Sequence, residues 1–334
     1  MKILLTGATG LLGNNVLEQL LLCGHEVTAL VRDSKRVVVD LSPYVGRYNI
    51  KVGDITNIDD LRLAASGCDA IVNCAGLTDM TLRHLKDYYP VNRNLCCSLL
   101  QIAQEKKVSV LVHVSTADTI GYGSRGHLSD ENDAMCYPFT HSYYALSKKE
   151  GEDCLIESSE SINEFPHRVV ILNPGYIIGK HDVRPSSGKM LLMAWRRKLM
   201  LAPDGGKSFV SAETVSKAVL AALQKGCNGE RYIITDESLS FKELFLLQAA
   251  IGGYRQRVIL LPRWICRFAG FVGDLLSSIG MNVEFTTRNV SQLLIEEHYG
   301  NRKMTEELGI EPKPIKIAVR EFLEDRRLLR HPMA

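Results

Sequence analysis

An apolar run, a glycine turn and a helical pattern follow one another within residues 1–24, and few folds begin in that order. Met1-Lys-Ile-Leu-Leu-Thr6 reads as a strand of a buried parallel sheet. Gly7-Ala-Thr-Gly10-Leu-Leu-Gly13 follows at once, and a helix is expected from Asn14 to Leu22, stopped by Gly24. Strand, turn and helix make the first half of a βαβ unit of the kind that binds dinucleotides. Gly7 permits the tight turn, Gly10 lets the backbone approach a pyrophosphate, and Gly13 lets the helix pack against the strand. Gly7, Thr9, Gly10, Leu11, Leu12 and Gly13 are therefore the candidate phosphate cradle, at the positive end of the helix. The spacing is G-x-x-G-x-x-G, and an ordinary glycine loop would share the trio. Its place between this strand and this helix is what points to a cofactor.

The chain has 334 residues, room for a nucleotide domain and a smaller partner. With 23% charged residues and a net charge of +2, nothing draws it to nucleic acid or to an acidic partner. Nine scattered cysteines with no C-x-x-C fit a reducing compartment, and argue against a disulfide framework or a metal site. Leu4-Leu5 runs into the turn, so no signal peptide is read there. Residues 258–280 contain Arg263, Arg267 and Asp274, unlike a membrane span. The expectation is a cytoplasmic protein with no integral membrane segment.

Further along, His25–Val31 is a second strand, ending on Arg32-Asp-Ser-Lys35-Arg36. In NAD-selective sites an acidic residue at this strand end bonds the ribose 2′-hydroxyl. Val31 holds that place here, whereas Arg32, helped by Lys35 or Arg36, offers a cation to a 2′-phosphate. NADP is expected over NAD, although a charged turn in water has the same look. Asn49–Val52 is a third strand followed by Gly53-Asp54-Ile55, and Asp54 is either a cofactor contact or the N-cap of a helix ending near Ala65. Ala70–Cys74 and Ser109–Val114 are the next strands, leading to Ala75-Gly76 and to Ser115-Thr116, with a long helix from about Val91 to Lys106 between them. Tyr144 and Lys148 stand four apart and share a helix face. Arg168–Asn173 is a sixth strand ending in Pro174-Gly175, and Glu230–Thr235 a seventh.

These residues resemble the extended short-chain dehydrogenase/reductase family, with its epimerase and dehydratase relatives. The features are Thr6-Gly7-x-x-Gly10-x-x-Gly13, Gly53-Asp54, Asn73-x-Ala75-Gly76, Asn92, Ser115-Thr116, Tyr144-x-x-x-Lys148, Asn173-Pro174-Gly175 and Asn228-Gly-Glu-Arg-Tyr-Ile, in family order across nearly the whole chain. Ala29-Leu-Val-Arg32, Leu172-Asn-Pro-Gly175 and the apolar C-terminal lobe look most like the dihydroflavonol reductase and 3β-hydroxysteroid dehydrogenase branch. Thr116 stands where the family usually has serine. Phe209-Val-Ser211-Ala-Glu213 departs from the usual Phe/Tyr-Val-Asp-x-x-Asp, which puts that loop's contacts in doubt.

The fold implied is α/β: a Rossmann-type doubly wound parallel sheet with a smaller, mostly helical C-terminal substrate lobe. Residues 1–174 with about 208–236 would hold NADP, and 175–207 with 237–334 the substrate. The candidate catalytic set is Thr116, Tyr144 and Lys148. A free phenol has a pKa near 10, and a nearby ammonium pulls it down towards working pH. The resemblance also implies that Lys148 bonds the nicotinamide ribose. Cofactor candidates further comprise Arg32, Lys35, Asp54, Ile55, Ala75, Gly76, Asn173, Pro174 and Gly175, and substrate candidates are Thr78, Thr116 and Tyr144. His113, inside a strand, reads as a packed core residue and Tyr143 as packing; Trp195-Arg-Arg-Lys198 reads as a solvated helix face more readily than as a site for an anionic substrate. Everything after Ser238 reads helical. A helix over 263–279 is apolar on so much of its circumference that it is expected to bury more than one side, by packing, as an apolar wall of the pocket, or at a membrane surface. The partner expected is a small molecule, and a homodimer is implied by resemblance alone. A nucleotide-sugar epimerase or dehydratase is the competing class, and a non-enzymatic dinucleotide sensor a third.

Overall fold

A computed structural model describes residues 1–160, 168–183 and 185–329. β1 (Lys2–Thr6) is buried from Ile3 onwards, and α1 (Leu11–Leu22) begins at Leu11 rather than Asn14. Gly10 is the N-cap, in extended conformation, and Leu12 packs into the core, so the helical period starts inside the glycine turn. β2 (Glu26–Val31), β3 (Tyr48–Val52), α2 (Ile58–Ala64) and β4 (Ala70–Asn73) follow. The side chain of Asn57 caps α2, so Asp54 is not its N-cap.

The long helix expected over Val91–Lys106 is two pieces, α3 (Tyr89–Asn92) and α4 (Asn94–Lys106), broken at Arg93. The Asn92 side chain exchanges hydrogen bonds with both backbone groups of Leu77 there. β5 (Val110–Val114), α5 (Tyr143–Glu160), β6 (Arg168–Pro174), β7 (Tyr176–Ile178) and α6 (Gly188–Ala194) come next. Trp195–Lys198 is not a helix: α6 ends before it, Arg196 turns back with φ +55°, and the chain enters β8 (Leu199–Pro203). Then come β9 (Gly206–Ser211), α7 (Ala212–Lys225), β10 (Arg231–Ile234), β11 (Glu237–Ser240), α8 (Phe241–Ile251) and β12 (Arg257–Leu261). Two strands thus lie in a stretch that reads helical; β11 pairs with β9 and β12 with β8, partners far away in sequence. α9 (Arg263–Ser278), α10 (Thr287–Ser291), α11 (Arg302–Glu306) and α12 (Lys316–Asp325) complete the chain.

Seven strands form one sheet in the order β10-β6-β5-β4-β1-β2-β3, and every pairing in it is parallel. The order reverses at β1, where ligands collect beyond the strand ends of open α/β sheets. One apolar layer joins α1 and α7 to the sheet, and another joins α2, α4 and α5 to its opposite face. A separate core around Phe209, Leu244, Val319 and Phe322 holds α6, α8 and α12 beside the β7-β9-β11 sheet. The cysteine reading needs a correction: Cys97 on α4 and Cys154 on α5 form a disulfide, with Cα atoms 6.1 Å apart. The two helices pack against each other and bring the thiols together, a proximity that sequence spacing does not show. Among the described residues no helix is long and apolar enough to cross a membrane.

Candidate active site

Backbone geometry explains two of the three glycines directly. Gly7 has φ +75°, and a Cβ there would meet Ala75 N at 2.5 Å. A Cβ on Gly13 would lie 1.9 Å from the Gly7 carbonyl oxygen, so α1 sits directly on the turn. Gly10 is exposed, no side chain caps α1, and its first turn carries no acid. Backbone N–H groups at a bare, positive helix end suit a pyrophosphate. Thr9 and Leu11 line this turn half-buried, while the Leu12 side chain belongs to the core.

At the end of β2, Val31 is buried while Arg32 and Lys35 are exposed. Asp33 accepts a hydrogen bond from the Lys35 N–H (3.0 Å), which turns its carboxylate to the backbone. Asp54, exposed at the end of β3, accepts from the Thr56 N–H (2.8 Å), and those bonds with the nearby Arg32 charge hold its pKa below the usual carboxylate value. Ile55 is partly buried against the core. Ala75 is buried, Gly76 and Thr78 are exposed on the same loop, and the Asn73 side chain accepts from the Ala75 N–H (3.1 Å).

That asparagine begins a buried chain of contacts. Its oxygen also accepts from the Thr6 hydroxyl (2.7 Å), so its NH₂ faces His113 Nδ1 at 2.9 Å. With Nδ1 accepting, the proton of the neutral ring sits on Nε2, 3.2 Å from Lys148 Nζ. Burial, and then the Lys148 charge, push the His113 pKa well below 6.5. Lys148 donates to the Val114 carbonyl (2.9 Å), and its own pKa is lowered by burial. His113 is buried as expected, but it positions Lys148, a link with no sequence signal because it spans β1, β4, β5 and α5.

Tyr144 opens α5 close to the Thr116 side chain, whose hydroxyl works to lower the phenol's pKa. Burial, and then Asp118, push the Tyr144 pKa up, while the Lys148 amine is turned towards His113 and Val114. Asn173 is fully buried; its amide reaches the Thr116 carbonyl (3.1 Å) and Glu152 (2.8 Å), bracing the loop that carries Thr116. Contacts to a ligand from Asn173-Pro174-Gly175 would fall to Pro174 and Gly175, at the end of β6. Arg288 stacks on Tyr143, 3.9 Å from the ring centroid, so Tyr143 packs as expected.

Sequence reasoning passes over a second buried group beside Tyr144. Lys207 on β9 is ion-paired with Glu297, and Asp118 stands close to both. One ammonium is paired with a buried carboxylate and stands near a second, half-buried one. Burial pushes Glu297 up to about 8 and also raises Asp118, while the carboxylates hold Lys207 charged. The one available signal is a lysine inside the buried strand Gly206–Ser211.

Sheet order and site chemistry agree on a class: the protein is an NAD(P)-dependent oxidoreductase acting on alcohol or carbonyl groups. A model of the NAD dependent epimerase/dehydratase family matches residues 3–235, and the chain belongs to that family. It is similar to a putative dihydroflavonol 4-reductase of Synechocystis sp., 26% identical over 326 residues that cover 94% of this chain and 91% of the relative. It is also similar to the 4-hydroxy-2-methyl-3-oxo-4-farnesyl-3,4-dihydroquinoline-1-oxide ketoreductase of Stigmatella aurantiaca, 26% identical with 83% and 80% covered. Among solved structures, gox2253 superposes with a TM-score of 0.80 at 24% identity over 98% of both chains. The UDP-glucose 4-epimerase of Thermotoga maritima gives 0.76 at 18%, covering 99% of this chain and 100% of that one.

Proposed function

We propose that the protein binds NADP(H) and reduces a bulky apolar ketone or aldehyde to the alcohol. In this reading residues 1–174 with about 208–236 hold the cofactor, and 175–207 with 237–334 receive the substrate. Arg32 and Lys35 take the 2′-phosphate, and the bare turn of α1 takes the pyrophosphate. The bound cofactor supplies a hydride to the carbonyl carbon. Tyr144 donates its phenolic proton to the carbonyl oxygen, which the Thr116 hydroxyl holds in place, and Lys148 steadies the nicotinamide ribose. The observation that carries the reading is the placement of Tyr144 and the buried Lys148 on one face of α5 beside Thr116 at the end of β5, with a phenol that burial and Asp118 keep protonated. A protonated phenol is the form a reductase needs at the start of its step. The apolar substrate rests on likeness to relatives named for a flavonol and a farnesylated quinoline oxide. A cytoplasmic homodimer belongs to the same reading.

The test is a panel of carbonyl compounds with NADPH and NADH in parallel, followed by absorbance. NADPH consumption with apolar ketones is the expected result. Sugar epimerisation with no net NADPH consumption, by enzyme purified with cofactor attached, would overturn it.

A further inference from the structure

α9 is amphipathic in the opposite sense to a core helix. The side it buries is its smallest: Cys266, Gly270 and Gly273 lie against the 285–287 segment. A Cβ on Gly273 would come within 1.9 Å of the Phe285 carbonyl oxygen, so the contact is backbone on backbone. At about 100° per residue, Trp264, Phe268, Phe271, Leu275 and Ile279 form one stripe on the far side, each 53–74% exposed. The expected burial of more than one side is thus overturned, because glycines provide the packing surface and the large side chains point out.

The patch has a basic margin. Arg263 and Arg267 flank one edge of the stripe, with Asp274 between them on the helical wheel. Pro262 joins α9 directly to β12, where Ile259 and Leu260 are 38% and 40% exposed beside Leu199 and Leu201 of β8, at 51% and 52%. Arg257 is in register with Leu199, and Lys198, Arg255 and Arg257 line one open hollow at that end of the ribbon. Among the described residues no carboxylate is ion-paired with Arg197, Lys198, Arg255, Arg257 or Arg267.

We propose that the outer face of α9, with the β8–β12 ribbon, seats on an anionic lipid bilayer. A helix with Trp, Phe and Leu on one face and arginine at the margin lies in the interfacial plane, apolar stripe inward and cations on headgroup phosphates. A second copy of the chain is the poorer fit, since an antiparallel two-fold contact through this face lays the basic margin upon itself. α9 packs on α10, whose Arg288 stacks on Tyr143 beside Tyr144. For an apolar ketone, a step that rests on the function proposed above, lipid-dissolved substrate would lie next to the lobe that receives it.

The test uses the full chain with phosphatidylglycerol–phosphatidylcholine vesicles and with phosphatidylcholine alone, and needs no turnover. A failed docking result therefore leaves the reductase reading standing, and the reverse holds. The chain is expected to co-sediment with the anionic vesicles, less so at high salt. Trp264, one of two tryptophans, is expected to shift its emission to the blue. Phe268→Glu with Phe271→Glu should lower partitioning by about ten-fold per phenylalanine, and Arg257→Ala by about five-fold. All three residues are exposed, so melting temperature and turnover of a soluble carbonyl compound should hold steady. Absence of binding to anionic vesicles, or binding that the phenylalanine changes leave intact, would overturn the proposal. So would an oligomer, seen by light scattering, that those two changes convert to monomer.

Discussion

Lys148 is held by one carbonyl and one imidazole, and the imidazole's tautomer is dictated two strands away by Asn73 and Thr6. The ring N–H facing Nζ favours the amine over the ammonium, in the same direction as burial. His113→Phe should therefore shift the pH profile of kcat and leave Asn73 with an unpaired buried NH₂, costing about 1–3 kcal/mol of stability. Tyr144→Phe should lower turnover by about 10²–10⁴-fold while NADPH binding, read by fluorescence, stays near parental. A variant with parental turnover would mean that another group donates the proton. Arg32→Ala should weaken NADPH by about ten- to a hundredfold and leave NADH unchanged, a difference that titration with both cofactors resolves.

At the scale of elements, α1 and its turn form one unit because Gly13 lets helix and loop touch. Gly13→Ala forces the Gly7 carbonyl to move by more than its turn allows. We expect a loss of about 1–3 kcal/mol in chemical denaturation, with NADPH binding lost even where the fold survives. The β9 strand meets the 296–298 segment through the Lys207–Glu297 pair. Lys207→Met leaves the buried Glu297, and Asp118 near it, without their cation. Removing one partner of a buried pair costs about 3–5 kcal/mol, so this variant should melt earlier, most of all at alkaline pH where both carboxylates must ionise. Identical melting curves for variant and parent would show that the cluster is not held by that lysine.

For the molecule as a whole, acid stability carries the mark of His113. Its folded pKa lies well below the 6.5 of the unfolded chain, so unfolding takes up a proton as pH falls. This share of stability is complete above about 6.5 and is lost as pH drops from there towards the folded pKa, at a limiting slope of about 1.4 kcal/mol per pH unit. Melting temperatures across that window should show a shallower decline for His113→Asn. The sequence by itself determined the parallel sheet, its glycine turn and the Tyr144/Lys148 face, because strand burial, turn geometry and helical period are local and leave a pattern in neighbouring residues. The family followed from the order of those motifs. Tertiary structure alone decided what couples them: the path from Thr6 through Asn73 and His113 to Lys148, the Cys97–Cys154 pair, and Lys207 against Glu297. It also decided that β11 and β12 are strands, since each exists by pairing with a partner far away in sequence. Lastly it set which way α9 faces. Periodicity shows that a helix has an apolar side; only the neighbours show whether glycine or phenylalanine meets them.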